Sequence, residues 1–327
     1  MNTHPPLRFG YLLPTRGIFL YPGQLPDPED LVDLAQTAES NGFDSLWVGD
    51  SLTAKPRLEP LATLAAVGMR TKTINLGTAV LLAALRNPVL LAQTVSTIDF
   101  LTNGRVLLGI GAGGAFNEAQ RNEWMAAGVS PESRGARLTE IMQLCRRLWT
   151  EETVSFHGQF YKAIDVRLAH RPSTTDRIPI LLACHYQTGT ERQYARAASY
   201  ADGIISISDT PQEFNATLDY VQNTNVPIKD KRRHTKNVFY MTINIDDDHL
   251  TAKTEADKFI ISYYGQNYWK ENWGPFGNAE EIASKIIEYQ HAGATEIVIR
   301  FASANQRTQL ARFVSQVYPL TQAKRPY

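Results

Sequence analysis

The chain is short of the features that would mark several classes of protein. It has two cysteines in 327 residues, Cys145 and Cys184, too few and too far apart for a disulfide framework or a cysteine-based metal site. It has no charge excess, because 33 Lys+Arg balance 33 Asp+Glu, whereas a nucleic-acid binder usually carries a basic surplus or stripe. The one tight basic cluster, Lys229, Lys231, Arg232 and Arg233, reads as a solvated loop. Its apolar runs are short and broken by Arg, Asn or Gly, so none reads as a membrane span. Met1 to Arg8 contains no apolar core of signal-peptide type. The expectation is a cytoplasmic protein with reduced thiols, no metal, and no membrane or nucleic-acid partner.

What is present is ordinary globular composition, 43% hydrophobic and 20% charged, arranged in a steady rhythm of short apolar run, polar loop and amphipathic helix. The first strand is Arg8–Leu13. Asp27 then offers an N-cap, Pro28 suits the first helical position, and Leu31, Leu34, Ala35 and Ala38 form one face before Asn41-Gly42 stops the helix. Further strands are expected at Asp44–Gly49, Ile74–Leu82, Arg105–Ile110, Ile178–Ala183, Gly203–Ile207, Val238–Ile245 and Glu296–Phe301, each followed by a helix. The helix before the last of these opens with an Asn278-Ala-Glu-Glu281 capping box. Strict alternation of this length predicts a single-domain (β/α)8 barrel over residues 1–327 rather than an open doubly wound sheet.

Two stretches exceed a minimal barrel. Residues 151–177 lie before the fifth strand, and residues 246–277 follow the seventh. The second is crowded with Phe259, Tyr263, Tyr264, Tyr268, Trp269, Trp273 and Phe276. It reads either as a wall for a flat apolar ligand or as a packed cover over the rim.

Barrel chemistry sits where strands end. Candidate catalytic groups there are Tyr11 toward the end of strand one, Asp50 at the end of strand two, Arg86 after strand three and His185 after strand five. His185 suits proton transfer or ring stacking, and equally a structural role. Asp50 suits a cap or an orienting contact, and Arg86 an anion or a bridge between loops. The loop Gly109-Ile-Gly-Ala-Gly-Gly-Ala-Phe-Asn-Glu118 permits close backbone approach, with Gly111, Gly113 and Asn117 as ligand candidates. Cys184-His-Tyr-Gln-Thr-Gly-Thr190 offers His185, Tyr186, Gln187, Thr188 and Gly189 as a phosphate seat at a helix start.

The ordered series Phe9-Gly-Tyr-Leu-Leu-Pro14, Gly42-Phe-Asp-Ser-Leu-Trp-Val-Gly-Asp50, Leu76-Gly-Thr-Ala-Val80, Arg86-Asn-Pro88, Gly104-Arg-Val-Leu-Leu-Gly-Ile-Gly111, Val154-Ser-Phe-His-Gly158 and Ala201-Asp-Gly203 resembles the luciferase-like monooxygenase family. The resemblance runs from about residue 8 to 318. It implies a (β/α)8 barrel whose cofactor ring lies across the mouth, beside a non-proline cis peptide at Ala79-Val80, with Thr78 next to it. It also implies either reduced FMN with oxygen or the deazaflavin coenzyme F-420, and pairing as a homodimer.

The sequence departs from many members in having Ser51 where they have a histidine. It also has Gly114 where the sugar-phosphate-oxidising F-420 branch has an acid. On this basis the leading expectation is a monooxygenase that receives reduced FMN from a separate flavin reductase and oxidises an apolar or aromatic molecule. The alternative is F-420-dependent hydride transfer, with Arg16, Lys55 and Arg57 as candidates for a basic groove. A non-catalytic flavin carrier and an unrelated barrel enzyme are the readings of other classes.

Overall fold

The computed structural model describes residues 6–20, 27–172, 178–187, 191–225, 235–267 and 274–322. Its strands are β1 (Arg8–Leu12), β2 (Ser45–Val48), β3 (Asn75–Thr78), β4 (Val106–Ile110), β5 (Val154–His157), β6 (Lys162–Val166), β7 (Ile180–Ala183), β8 (Gly203–Ile207), β9 (Lys236–Ile245), β10 (Phe276–Gly277) and β11 (Glu296–Phe301). Eight of them pair in parallel in the order β9-β11-β1-β2-β3-β4-β7-β8, and β8 pairs back onto β9 to close the barrel. The expected (β/α)8 architecture is the observed one. Of the two extra pieces, β5 and β6 form an antiparallel hairpin within residues 151–177, and β10 adds to the edge of β9.

The helices are α1 (Pro28–Ser40), α2 (Pro60–Arg70), α3 (Pro88–Leu101), α4 (Glu118–Ala126), α5 (Arg134–Thr150), α6 (Glu191–Tyr200), α7 (Pro211–Asn223), α8 (His249–Tyr264), α9 (Ala279–His291), α10 (Gln306–Arg312) and α11 (Tyr318–Gln322). Four of them begin with proline directly after a polar cap. The Asp27, Glu59, Asn87 and Thr210 side chains each accept a first-turn N–H, which satisfies donors that a helix start leaves bare. Asn278 and Glu281 form the expected capping box of α9. No helix of the described residues is long and apolar enough to cross a membrane.

Residues along each strand alternate between two cores. Leu12, Trp47, Ala79, Leu107, Leu181, Ile205, Val238 and Val298 face into the barrel. Tyr11, Leu46, Val48, Leu76, Leu108 and Ile299 face out against the helices. Trp47 is fully buried and fills the barrel interior. Its Nε1–H is shared between Ser45 Oγ at 2.6 Å and Glu296 Oε1 at 3.1 Å. The facing positions are Gly10 and Gly77, where an added Cβ would stand 2.4 and 2.3 Å from the indole.

One strand is shorter than its sequence suggests. The apolar run Ile74–Leu82 reads as continuous strand, but β3 ends at Thr78, and the chain rejoins the sheet only through an isolated bridge from Leu81 to Ile110. The interruption is the cis peptide Ala79-Val80, which turns the chain there.

Gly77→Ala should drive a methyl into Trp47 and lower stability by about 2 kcal/mol or more, as overpacking of a filled core does. Gly135→Ala in α5, where the nearest atom is 3.7 Å away, should be neutral or mildly stabilising. Urea denaturation of both variants checks the pair, and equal midpoints would refute the filled-barrel account.

Candidate active site

The C-terminal ends of the strands form a mouth whose near wall is built of small residues. Gly49 follows β2, Ala79 follows β3, Gly111 follows β4 and Ala183 ends β7. A Cβ at Gly111 would come within 2.8 Å of Val80 and 3.2 Å of Ala183. The Ala79-Val80 peptide is cis, as the resemblance implies, and Val80 is partly exposed while Ala79 is 8% exposed. Further round, the hydroxyl of Ser208, just past β8, is buried with no hydrogen-bond partner among the described residues. A shallow wall of small side chains with an unsatisfied hydroxyl fits a flat, polar-edged ring system such as a deazaflavin.

The expected catalytic residues divide. Tyr11 does not reach the mouth. It is fully buried on the helix side of β1, packs against Phe43 and Phe301, and donates to Gln306 Oε1 at 3.0 Å. Burial raises its pKa well above the ordinary phenol value, which removes it from acid–base work. Asp50 and Arg86 meet each other. Arg86 donates to Asp50 Oδ2 at 2.6 Å and to Glu59 at 2.9 Å, and Asp50 also accepts the Leu82 N–H at 2.9 Å. The pair is a strut between the loops after β2 and β3.

His185 sits at the rim over β8. Its Nδ1 lies 3.2 Å from Ser206 Oγ, which is 2.5 Å from Asp209 Oδ2. Burial lowers the His185 pKa to about 4, so the ring is neutral at pH 7. Burial also raises the Asp209 pKa to about 6, against hydrogen bonds from Ser206 and the Tyr186 N–H that lower it. With Asp209 ionised, the Ser206 hydroxyl donates to the carboxylate and His185 donates from Nδ1 to Ser206. The other ring nitrogen is then an acceptor. The Ile207 N–H lies 3.5 Å from Nδ1 and favours the opposite tautomer, but that contact is long, whereas the carboxylate contact is short and charge-assisted.

Among the expected cofactor residues, Thr78 donates to the Gly109 carbonyl at 2.6 Å and is fully buried, so its hydroxyl is spent within the barrel wall. Asn117 is an exposed cap of α4. Gly113 has a φ of 67°, which favours glycine, and its carbonyl accepts from Arg134. Tyr186 and Gln187 lie beside the rim, with Gln187 N–H donating to Tyr194. Thr188 and Gly189 lie outside the described residues, as do Tyr268, Trp269, Trp273 and the basic cluster at 229–233.

Two features are only half legible in the sequence. Ser51, which replaces the expected histidine, is buried and donates to Glu123 Oε1 at 2.6 Å; the same oxygen accepts the Thr53 and Ala54 N–H groups. This clamp fixes the loop after β2. The second feature is cationic. That loop carries Lys55 and Arg57, and they converge with Arg16 from the loop after β1 and with buried Arg300 of β11. The wall from α8 is therefore less apolar than its aromatic content suggests, because Tyr263 and Tyr264 are faced by cations. The clue lay in an arginine directly after the apolar stretch IVI of the β11 run EIVIRF.

A closed parallel barrel with small residues and titratable groups at its C-terminal rim has the architecture of a (β/α)8-barrel enzyme, whose chemistry sits at that face. The model of the luciferase-like monooxygenase family matches residues 7–296, and the chain belongs to that family of oxidoreductases. An F420-dependent glucose-6-phosphate dehydrogenase of Kribbella flavida is 41% identical over 334 residues, covering 90% of this chain and 94% of that protein. One of Nakamurella multipartita is 34% identical over 355 residues, covering 98% of each. A solved F420-dependent secondary alcohol dehydrogenase, bound to an F420–acetone adduct, superposes with a TM-score of 0.77 at 21% identity over 97% of this chain and 99% of that one. A monooxygenase from Streptomyces bottropensis superposes at 0.79 with 19% identity over 96% and 99%. At those identities the structural likeness speaks for the fold.

The near full-length relatives overturn the expectation of monooxygenation with reduced FMN. The motifs behind that expectation build the barrel fold, which the solved F420-dependent dehydrogenase and the solved monooxygenase have in common. The requirement for a separate flavin reductase falls with it.

Arg86→Ala should leave the Asp50 carboxylate, whose side chain is 2% exposed, without its counter-charge, and cost about 3 kcal/mol. The double variant with Asp50→Asn should recover part of the loss. Chemical denaturation measures both, and an unchanged midpoint for Arg86→Ala would rule out the strut.

Proposed function

We propose that this protein is an F-420-dependent oxidoreductase that transfers hydride between the deazaflavin and a small organic substrate, one barrel domain performing the whole reaction. The observation that carries this reading is the 41% identity, over 90% of the chain, to a protein named as an F420-dependent dehydrogenase. Bound at the mouth, the coenzyme supplies a two-electron hydride acceptor or donor. Gly49, Ala79, Val80, Gly111 and Ala183 would hold its ring, and Ser208 Oγ would bond to a polar edge.

His185 is proposed as the proton carrier. When an alcohol is oxidised, its C–H leaves as hydride and its O–H proton must go to a base. His185, neutral and donating from Nδ1 to Ser206, has its second nitrogen open for that proton, and ionised Asp209 stabilises the imidazolium that forms. Asp50 and Arg86 take no part in this scheme beyond holding the loops, and glucose 6-phosphate is the first substrate to try.

Titrating the purified chain with F-420 and with FMN, followed by tryptophan fluorescence, should give micromolar affinity for the deazaflavin and weaker affinity for FMN. Preference for FMN would defeat the proposal. His185→Gln should slow F-420 reduction about 10²- to 10⁴-fold, the usual contribution of general acid–base catalysis, with coenzyme affinity unchanged. In the parent the rate should fall as the pH drops through about 6, because protonated Asp209 reverses the hydrogen-bond chain. Asp209→Asn should abolish that step, and a pH profile with the same inflection in the variant would remove Asp209 from the mechanism.

A further inference from the structure

Three guanidinium groups surround one phenol ring at the mouth. The Cζ atoms of Arg16, Arg57 and Arg300 lie 5.2, 5.6 and 5.0 Å from the Tyr263 ring centroid. The Lys55 ammonium lies 4.5 Å from the centroid of the neighbouring Tyr264, over which Arg300 also sits at 5.2 Å. The recorded partners of Arg16 are the Tyr263 and Pro56 carbonyls. Arg57 bonds to the Lys55 carbonyl and to Tyr263, and Arg300 to Thr242 and Tyr264. Among the described residues no carboxylate pairs with Arg16, Lys55 or Arg57.

Rings and carbonyls hold cations in place but do not cancel their mutual repulsion, which a carboxylate would. The crowding shows at Lys55, whose pKa burial lowers to about 8, helped by Arg57, Arg16 and Arg300 and opposed by Glu123. Arg300 is itself 2% exposed. A protein keeps such a cluster where a ligand brings the missing negative charge.

Position identifies which ligand. The loop after β2 that carries Lys55 and Arg57 is held by the Ser51–Glu123 clamp. A Cβ built on Gly49 would stand 2.3 Å from Arg57 Nη1 and 3.7 Å from the carbonyl of Ala79, so the guanidinium borders the cis peptide where the coenzyme ring is proposed to rest. An anion seated there is beside the ring and not out along a tail groove.

We propose that Arg16, Lys55, Arg57 and Arg300 form the seat for a carboxylate or phosphate group carried by the substrate, and that Tyr263 and Tyr264 set its walls. This rests on the hydride-transfer reading for the word substrate; the seat itself is tested without it. The seat makes a charged group a condition of turnover. It also makes affinity fall as the pH rises through about 8, where Lys55 loses its proton.

The test begins with the coenzyme-free protein titrated calorimetrically with inorganic sulfate, whose charge is constant over the range. Binding should weaken at least tenfold in Lys55→Gln and in Arg57→Gln, and should weaken in the parent between pH 7 and pH 9 but not in Lys55→Gln. Circular dichroism confirms that the variants fold. F-420 affinity is measured separately and should be unchanged in both. With F-420 present, glucose 6-phosphate against glucose, and a hydroxycarboxylic acid against the matching neutral alcohol, separate the phosphate source from the carboxylate source. Either charged member outperforming its neutral partner supports the seat.

Sulfate binding that is absent, or indifferent to both substitutions, overturns the proposal. So does a loss of F-420 affinity in the variants, which would assign the cations to the coenzyme. Failure of the parent to bind F-420, with sulfate binding intact, overturns the hydride-transfer reading and leaves the anion site standing.

Discussion

Everything at the mouth depends on the barrel being filled from below by one indole. Trp47 has no exposed surface, and its N–H is held by Ser45 and Glu296. Ser45 in turn donates a short hydrogen bond to the Glu296 carboxyl, whose pKa burial raises. The ring's width forces glycine at positions 10 and 77. The indole fills the barrel interior beneath that rim. Small residues can therefore line that rim without opening a void through the barrel.

The loop after β2 shows how one residue change redirects a site. A histidine at position 51 would point a titratable group at the mouth. Serine instead turns inward to Glu123, and that carboxylate gathers three donors from one short segment. The segment becomes rigid and delivers Lys55 and Arg57 to fixed places. Position 51 thus carries no titratable group, and the clamp it makes instead holds the segment that bears Lys55 and Arg57.

Much of the fold was legible because its signals are local: the Asp27-Pro28 and Asn278–Glu281 caps, and the alternation of apolar runs with amphipathic helices. The cis peptide at Ala79-Val80 was legible only through family resemblance, since an apolar run such as INLGTAVLL carries no local mark of it. The facing of short strands was not legible. In FGYLL, after Arg8, no charged residue marks a face, so nothing tells Tyr11 from Leu12, and the inward one is Leu12. The cation cluster was half visible. Arg16, Lys55 and Arg57 stood out as basic residues at strand ends, but their meeting with Arg300 and Tyr263 spans nearly the whole chain and requires the barrel to close. The choice of cofactor stayed hidden because the motifs build the barrel fold, which is common to an F420-dependent dehydrogenase and a monooxygenase.

Strand order gives the mouth a polarity. Around the closed ring, the cations stand on β11 and in the loops after β1 and β2, while His185 and Asp209 stand at the ends of β7 and β8. These arcs lie across the barrel from each other, with β3, β4 and the Ala79-Val80 peptide along one connecting side. On the proposed reading, a substrate held by a negative group on the first arc would turn its far end toward the imidazole, which burial keeps neutral at pH 7. Anchoring and proton transfer would thus be separated by the width of the barrel, and that width is set by the eight-strand closure around Trp47.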